Sequence, residues 1–153
     1  MRGNNCLTKE MLKVGMTFEK ELFFSKDDVD TYCSLSGDRN SIHSNLDAAR
    51  RRFPGIKDVV VPGGLLQIAI AGLFGSDFPG DGSLGLTFEP ERVRRPICPG
   101  DSVRIVLEVT KIRGQLAEFE IMIRNSEGEQ ISGAKSRVML PDQDWRAWWE
   151  KQS

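Results

Sequence analysis

The segment Gly63-Gly64-Leu65-Leu66-Gln67-Ile68-Ala69-Ile70-Ala71-Gly72-Leu73-Phe74-Gly75 is apolar on almost every side. Between Leu65 and Phe74 only Gln67 is strongly polar. A helix apolar all round has no face to offer water, so its place is inside a domain. At some ten residues it is far short of the roughly twenty needed to span a bilayer. Gly72 and Gly75 allow another backbone to approach closely or the helix to end. Everything else in the chain has to be read as a wrapping for this element.

The wrapping lies downstream. Leu84, Leu86 and Phe88 alternate with small or polar residues, and Val103, Ile105, Leu107 and Val109 do so cleanly. Phe119, Ile121 and Ile123 repeat the period, and residues 131–140 carry a weaker version anchored by Val138 and Leu140. Pro99-Gly100, Arg113-Gly114 and Glu127-Gly128 supply the turns between them. Such a run predicts an antiparallel meander with one dry face. The helix from Gly64 is the one object available to cover that face. The expected class is α+β, a single domain with one antiparallel sheet wrapped around a buried central helix.

Upstream, Gly15 to Phe24 reads as a strand through Met16, Phe18, Leu22 and Phe23. Ser25-Lys26-Asp27-Asp28 has the form of a capping box with Asp in place of Glu. The helix it opens carries Val29, Tyr32, Cys33 and Leu35 near helical period and ends at Gly37. A second, short helix is expected from Leu46 to about Arg52, before Pro54-Gly55. Residues 1–13 read as a loose N-terminal arm, 14–140 as the domain, and 141–153 as a helical C-terminal tail. That tail holds all three tryptophans, Trp145, Trp148 and Trp149, at i, i+3, i+4 spacing suited to docking a helix on the body or on a second subunit, with ligand stacking as the lesser alternative.

The 153 residues fit one domain with a sizeable core. A net charge of −1 gives no field to draw nucleic acid, and no apolar run is long enough for a membrane span. The N-terminal residues lack the apolar stretch of a signal peptide. A cytoplasmic protein is expected, or one of the mitochondrial matrix after removal of a transit peptide. Cys6, Cys33 and Cys98 are odd in number and widely spaced, so a reducing compartment fits them better than a disulfide framework. One histidine cannot build a metal cluster, and no metal or cofactor is expected.

That one histidine stands in Ser36-Gly37-Asp38-Arg39-Asn40-Ser41-Ile42-His43. Five positions separate Asp38 from His43, the wrong interval for one helical face. Gly37 permits a positive φ, and Asp38 and Asn40 favour turns on their own backbone. On such a turn the carboxylate and imidazole can converge on one water as an acid/base pair working near neutral pH. The plainer reading is a polar turn after a helix, with a histidine that only caps it. Gly64, opening the buried helix, offers an unsatisfied N–H and the positive end of the helix dipole.

The same stretch, from Tyr32 to His43 with Asp47-Ala48-Ala49 following, resembles the hydratase motif of the MaoC-like (R)-specific enoyl-thioester hydratases. Pro62-Gly63-Gly64-Leu65-Leu66 with Ala71-Gly72-Leu73-Phe74-Gly75 is similar to the family's segment opening the central helix. Pro96-Ile97-Cys98-Pro99-Gly100-Asp101 is similar to its Pro-Gly-Asp turn. The likeness covers roughly residues 14 to 140. Ser41 replaces the family's usual proline, and Gly63 stands where a histidine often precedes the glycine.

The resemblance implies the hot-dog fold and reversible hydration of trans-2-enoyl thioesters. Asp38 and His43 would activate water and Asn40 would orient the pair or its loop. Gly64, with Gly63, Leu65 and Ala71, would hold the substrate, an acyl thioester on coenzyme A or acyl carrier protein. It also implies a homodimer. Two alternatives remain open: a non-catalytic acyl-thioester-binding subunit, and a thioesterase. Related thioesterases carry a carboxylate on the central helix, whereas Gly64 to Gly75 has none.

Overall fold

The computed structural model describes residues 1–152. Five strands form one antiparallel sheet: β1 (Thr17–Phe23), β2 (Leu84–Pro90), β3 (Ser102–Arg113), β4 (Leu116–Asn125) and β5 (Gln130–Met139). Their order across the sheet is β1-β3-β4-β5-β2. The successive strands β3, β4 and β5 pair as the meander, with Leu107 opposite Ile121 and Ile121 opposite Ala134. Strand β2 comes early in the chain yet pairs with β5, and its other edge is left free.

The helices are α1 (Lys26–Ser36), α2 (Leu46–Arg52), α3 (Gly63–Ser76) and α4 (Gln143–Glu150). The central element is α3. Its Leu66, Ile70, Leu73 and Phe74 are buried with Val103, Ile105, Leu107, Phe119, Ile121 and Ile123 of the sheet in one core. Phe74 and Phe78 each meet the Phe119 ring edge-on, with centroids 5.0 and 5.9 Å apart.

Three expectations are corrected. The helix from Gly64 is not buried all round in the single chain: Gln67, Ala71, Gly72 and Gly75 face outward, and Ile68 is 52% exposed. The N-terminal arm is not loose. Cys6, Thr8 and Leu12 are buried, Cys6 forms a bridge with Gly80, and Leu7 N–H donates to Pro79 O at 2.9 Å. On the chain's own body the tryptophan face docks only in part. Trp145 Nε1 donates to Asp81 Oδ1 at 3.0 Å and Arg2 lies over the Trp149 ring at 4.6 Å, while Trp148 faces outward.

Candidate active site

The acid loop is built by local hydrogen bonds. Ser25 caps α1, accepting from Asp28 N–H at 3.1 Å, and Asp28 Oδ2 accepts from Ser25 N–H at 2.8 Å. Gly37 ends the helix at φ 76°, a left-handed conformation that costs glycine little. The Ser36 hydroxyl donates back to Tyr32 O at 2.7 Å and accepts from Asp38 N–H at 3.2 Å. Asp38 Oδ1 then accepts from Asn40 N–H at 2.9 Å. One carboxylate oxygen is thus tied into an Asx turn and the other, Oδ2, is left for the site.

Asn40 turns the chain once more. Its side chain accepts from Ile42 N–H at 3.3 Å and caps the 3-10 turn Ser41–His43. Asn40 therefore contacts the loop's main chain, the second of the two roles open to it from sequence.

His43, 8% exposed, is held from behind. Its Nδ1 lies 2.7 Å from Val60 O, an acceptor, so Nδ1 carries the proton. Its other nitrogen, Nε2, lies 3.5 Å from Asp38 Oδ2. The segment that holds the ring also leads into α3. Val60 N–H donates to Ile42 O at 2.9 Å, Val61 N–H to Ile97 O at 2.7 Å, and Pro62 is the N-cap of α3. Next to the pair, burial pushes the Cys33 thiol above its ordinary value, with the Asp38 and Asp30 carboxylates adding to the effect.

The first turn of α3 has main-chain donors to spare. Leu65 N–H donates to Pro62 O at 3.0 Å, but Gly64 N–H has no protein acceptor among the described residues. A Cβ at Gly64 would overlap the Tyr32 hydroxyl. The absent side chain is therefore required by packing as well as by access to the N–H.

Of the residues singled out from sequence, Asp38 and His43 face each other, and Val60 and Tyr32 link them to Gly64. Gly63 lines a cavity of about 180 Å³ with Leu66, Ile70 and Phe88. Leu65 is half-buried against the core. Ala71 lies two turns along α3, in a second cavity against β2. The Tyr32 hydroxyl went unread as a site group; its partner is thirty-two residues away, and only its place ahead of the acidic loop marks it.

A central helix packed on one antiparallel sheet defines a hot-dog protein, and here the loop of Asp38 and His43 leads toward the helix start. The (R)-hydratase PhaJ1 of Pseudomonas aeruginosa has this fold, with a TM-score of 0.80 at 24% identity over 89% of this chain and 86% of that one. The (R)-specific enoyl-CoA hydratase of Aeromonas caviae is 31% identical over 137 residues, which are 88% of this chain and 100% of the relative. A mitochondrial 3-hydroxyacyl-[acyl-carrier-protein] dehydratase of Solanum lycopersicum is 24% identical over 91% of this chain and 84% of its own. No protein-family model matches the chain. The chain belongs to the MaoC-like family of (R)-specific hydratases and dehydratases, and it is a hydro-lyase.

Proposed function

We propose that this protein adds water to trans-2-enoyl thioesters to give (R)-3-hydroxyacyl thioesters, and runs the reverse dehydration, with Asp38 and His43 acting on one water. The observation that carries this reading is the 3.5 Å approach of His43 Nε2 to Asp38 Oδ2 while Nδ1 is committed to Val60 O. With the ring neutral, Nε2 and Oδ2 are both acceptors. Two acceptors at that spacing do not bond each other; a water donating one hydrogen to each joins them.

The oxygen of such a water bonds C3 of the substrate as one of its protons passes to the pair. The pair returns a proton to C2, so the balance is one water added across the double bond. Charge builds on the thioester oxygen during the step. Gly64 N–H, at the positive end of α3, is the donor aimed at that oxygen, and one such donor contributes about 3 kcal/mol to the transition state.

The substrate thioester is carried by coenzyme A or by acyl carrier protein, the two carriers that appear in the names of the relatives. The working unit is a homodimer, in which the free edge of β2 and the outward side of α3 meet a second copy. Crotonyl-CoA tests the activity directly. Its conjugated enoyl absorbance is expected to fall on mixing with the protein, and no loss with coenzyme A or carrier-protein substrates rejects the reading.

A further inference from the structure

We infer that the Tyr32 hydroxyl is a second donor to the thioester oxygen, beside the N–H of Gly64; the inference rests on the site reading above. Tyr32 stands near the end of α1, ahead of the acid loop. Its carbonyl oxygen accepts from the Ser36 hydroxyl at 2.7 Å, and that hydroxyl in turn accepts from Asp38 N–H at 3.2 Å. The ring and the carboxylate therefore hang from one hydrogen-bonded turn. From there the side chain crosses to α3 and ends at Gly64. A Cβ on Gly64 would meet the hydroxyl oxygen first, with the ring carbons Cζ and Cε2 behind it at 2.8 and 3.1 Å. The tip of the side chain thus takes the place that a side chain on residue 64 would need.

Standard bond lengths put a hydroxyl oxygen so placed about 4 Å from Gly64 N. That is too far for a bond between the two. An oxygen lying between them would sit about 3 Å from each, within hydrogen-bond range of both. Both groups are donors without a protein acceptor among the described residues. Nor is the half-buried Tyr32 hydroxyl sealed in: the buried side-chain atoms that lack a partner are Ser83 Oγ and Trp149 Nε1. The Tyr32 hydroxyl faces space that a ligand can enter.

Charge grows on the thioester oxygen as water adds at C3, so a donor there acts more strongly in the transition state than on the bound substrate. Tyr32 gives up no proton in this role; it donates a hydrogen bond and keeps its O–H. Glycine at position 64 then serves twice, baring the N–H and leaving room for the second donor. A phenyl ring would fill the same space, so the polar tip is the part that packing does not require.

Tyr32→Phe keeps the ring and removes the donor. Its kcat for crotonyl-CoA should fall about a hundredfold, the effect of losing one such donor, with KM changed little. A readout that packing alone would not move is the absorbance of bound hexadienoyl-CoA, whose conjugated carbonyl absorbs at longer wavelength when polarised. In the slowed Asp38→Asn background this ligand should show that red shift, and adding Tyr32→Phe should shrink it. Gly64→Ala pushes the hydroxyl from its place, so Tyr32→Phe in that background relieves the clash without removing a donor still in position. A Tyr32→Phe variant with wild-type kcat overturns the inference, as does a slow one that polarises bound hexadienoyl-CoA as strongly as its parent.

If no enoyl thioester is hydrated, the proposed function falls, and the same spectrum taken on the otherwise unaltered chain decides the donor. A red shift on binding that shrinks with Tyr32→Phe sustains it; no shift, or one indifferent to the substitution, overturns it.

Discussion

At the scale of single residues, Asp38→Asn removes a base while keeping the shape of the side chain, and His43→Ala empties the space behind Oδ2. Each is expected to lower turnover about a hundredfold or more, with the far-ultraviolet circular dichroism unchanged. The double variant should lose much less than the product of the two, since the proposed step has both groups on one water; a fully multiplicative loss would separate their roles. Gly64→Ala sets a methyl against the Tyr32 hydroxyl. Its loss of activity should be partly restored by Tyr32→Phe in the same chain, measured as kcat/KM for crotonyl-CoA, whereas an unaltered double variant would mean that the hydroxyl is not the group that the methyl disturbs. The approach of Asp38 to His43 was legible through the resemblance of the stretch to the hydratase motif; from the residues alone the local bonds of the turn, from Ser36 to Ile42, fit a plain polar turn as well. The brace on the ring was not, since Val60 lies seventeen residues on and contributes only a carbonyl, which every residue has.

Elements with both ends written locally were read closely. The capping box of Ser25 and Asp28 and the glycine after Ser36 bound α1, and both are in place. Ser25→Ala should therefore cost about 1 kcal/mol of stability, read as a lower urea midpoint with an unchanged slope. Strand β3 was equally plain, with Val103, Ile105, Leu107 and Val109 all buried as its alternation requires. Strand β5 was faint because two of its core-facing positions are serines, Ser132 and Ser136, whose hydroxyls bond β2 or the residue after it. Their partners are some forty to fifty residues away, so nothing nearby announces that these hydroxyls can be buried at low cost. In α3 the difficulty is of another kind. Apolar side chains on every side predict burial, but the pattern does not say whether the cover comes from the same chain.

At the scale of the whole molecule that cover is the open matter. Leu84 and Leu86 on the free strand β2 are 59% and 49% exposed, and Ile68 of α3 is uncovered as well. Apolar surface of this extent next to an unpaired strand edge favours association. Sedimentation equilibrium at micromolar concentration should give twice the 17.2 kDa of one chain, and the monomer mass would remove the dimer from the proposal. The N-terminal arm was misjudged for want of any local signal. Its hydrogen bonds run to Ser76, Pro79 and Asp81, all about seventy residues on. It joins α4 through Arg2 and through Arg146, whose guanidinium donates to Cys6 O at 2.5 Å. That arrangement puts every indole of the protein on one eight-residue helix clasped by the opposite terminus. Intrinsic tryptophan emission therefore reports the seating of that helix and is blind to the sheet. A thermal melt followed by emission should coincide with one followed by far-ultraviolet dichroism only if the clasp and the sheet open together; an emission change at lower temperature would mark the clasp as a separate cooperative unit.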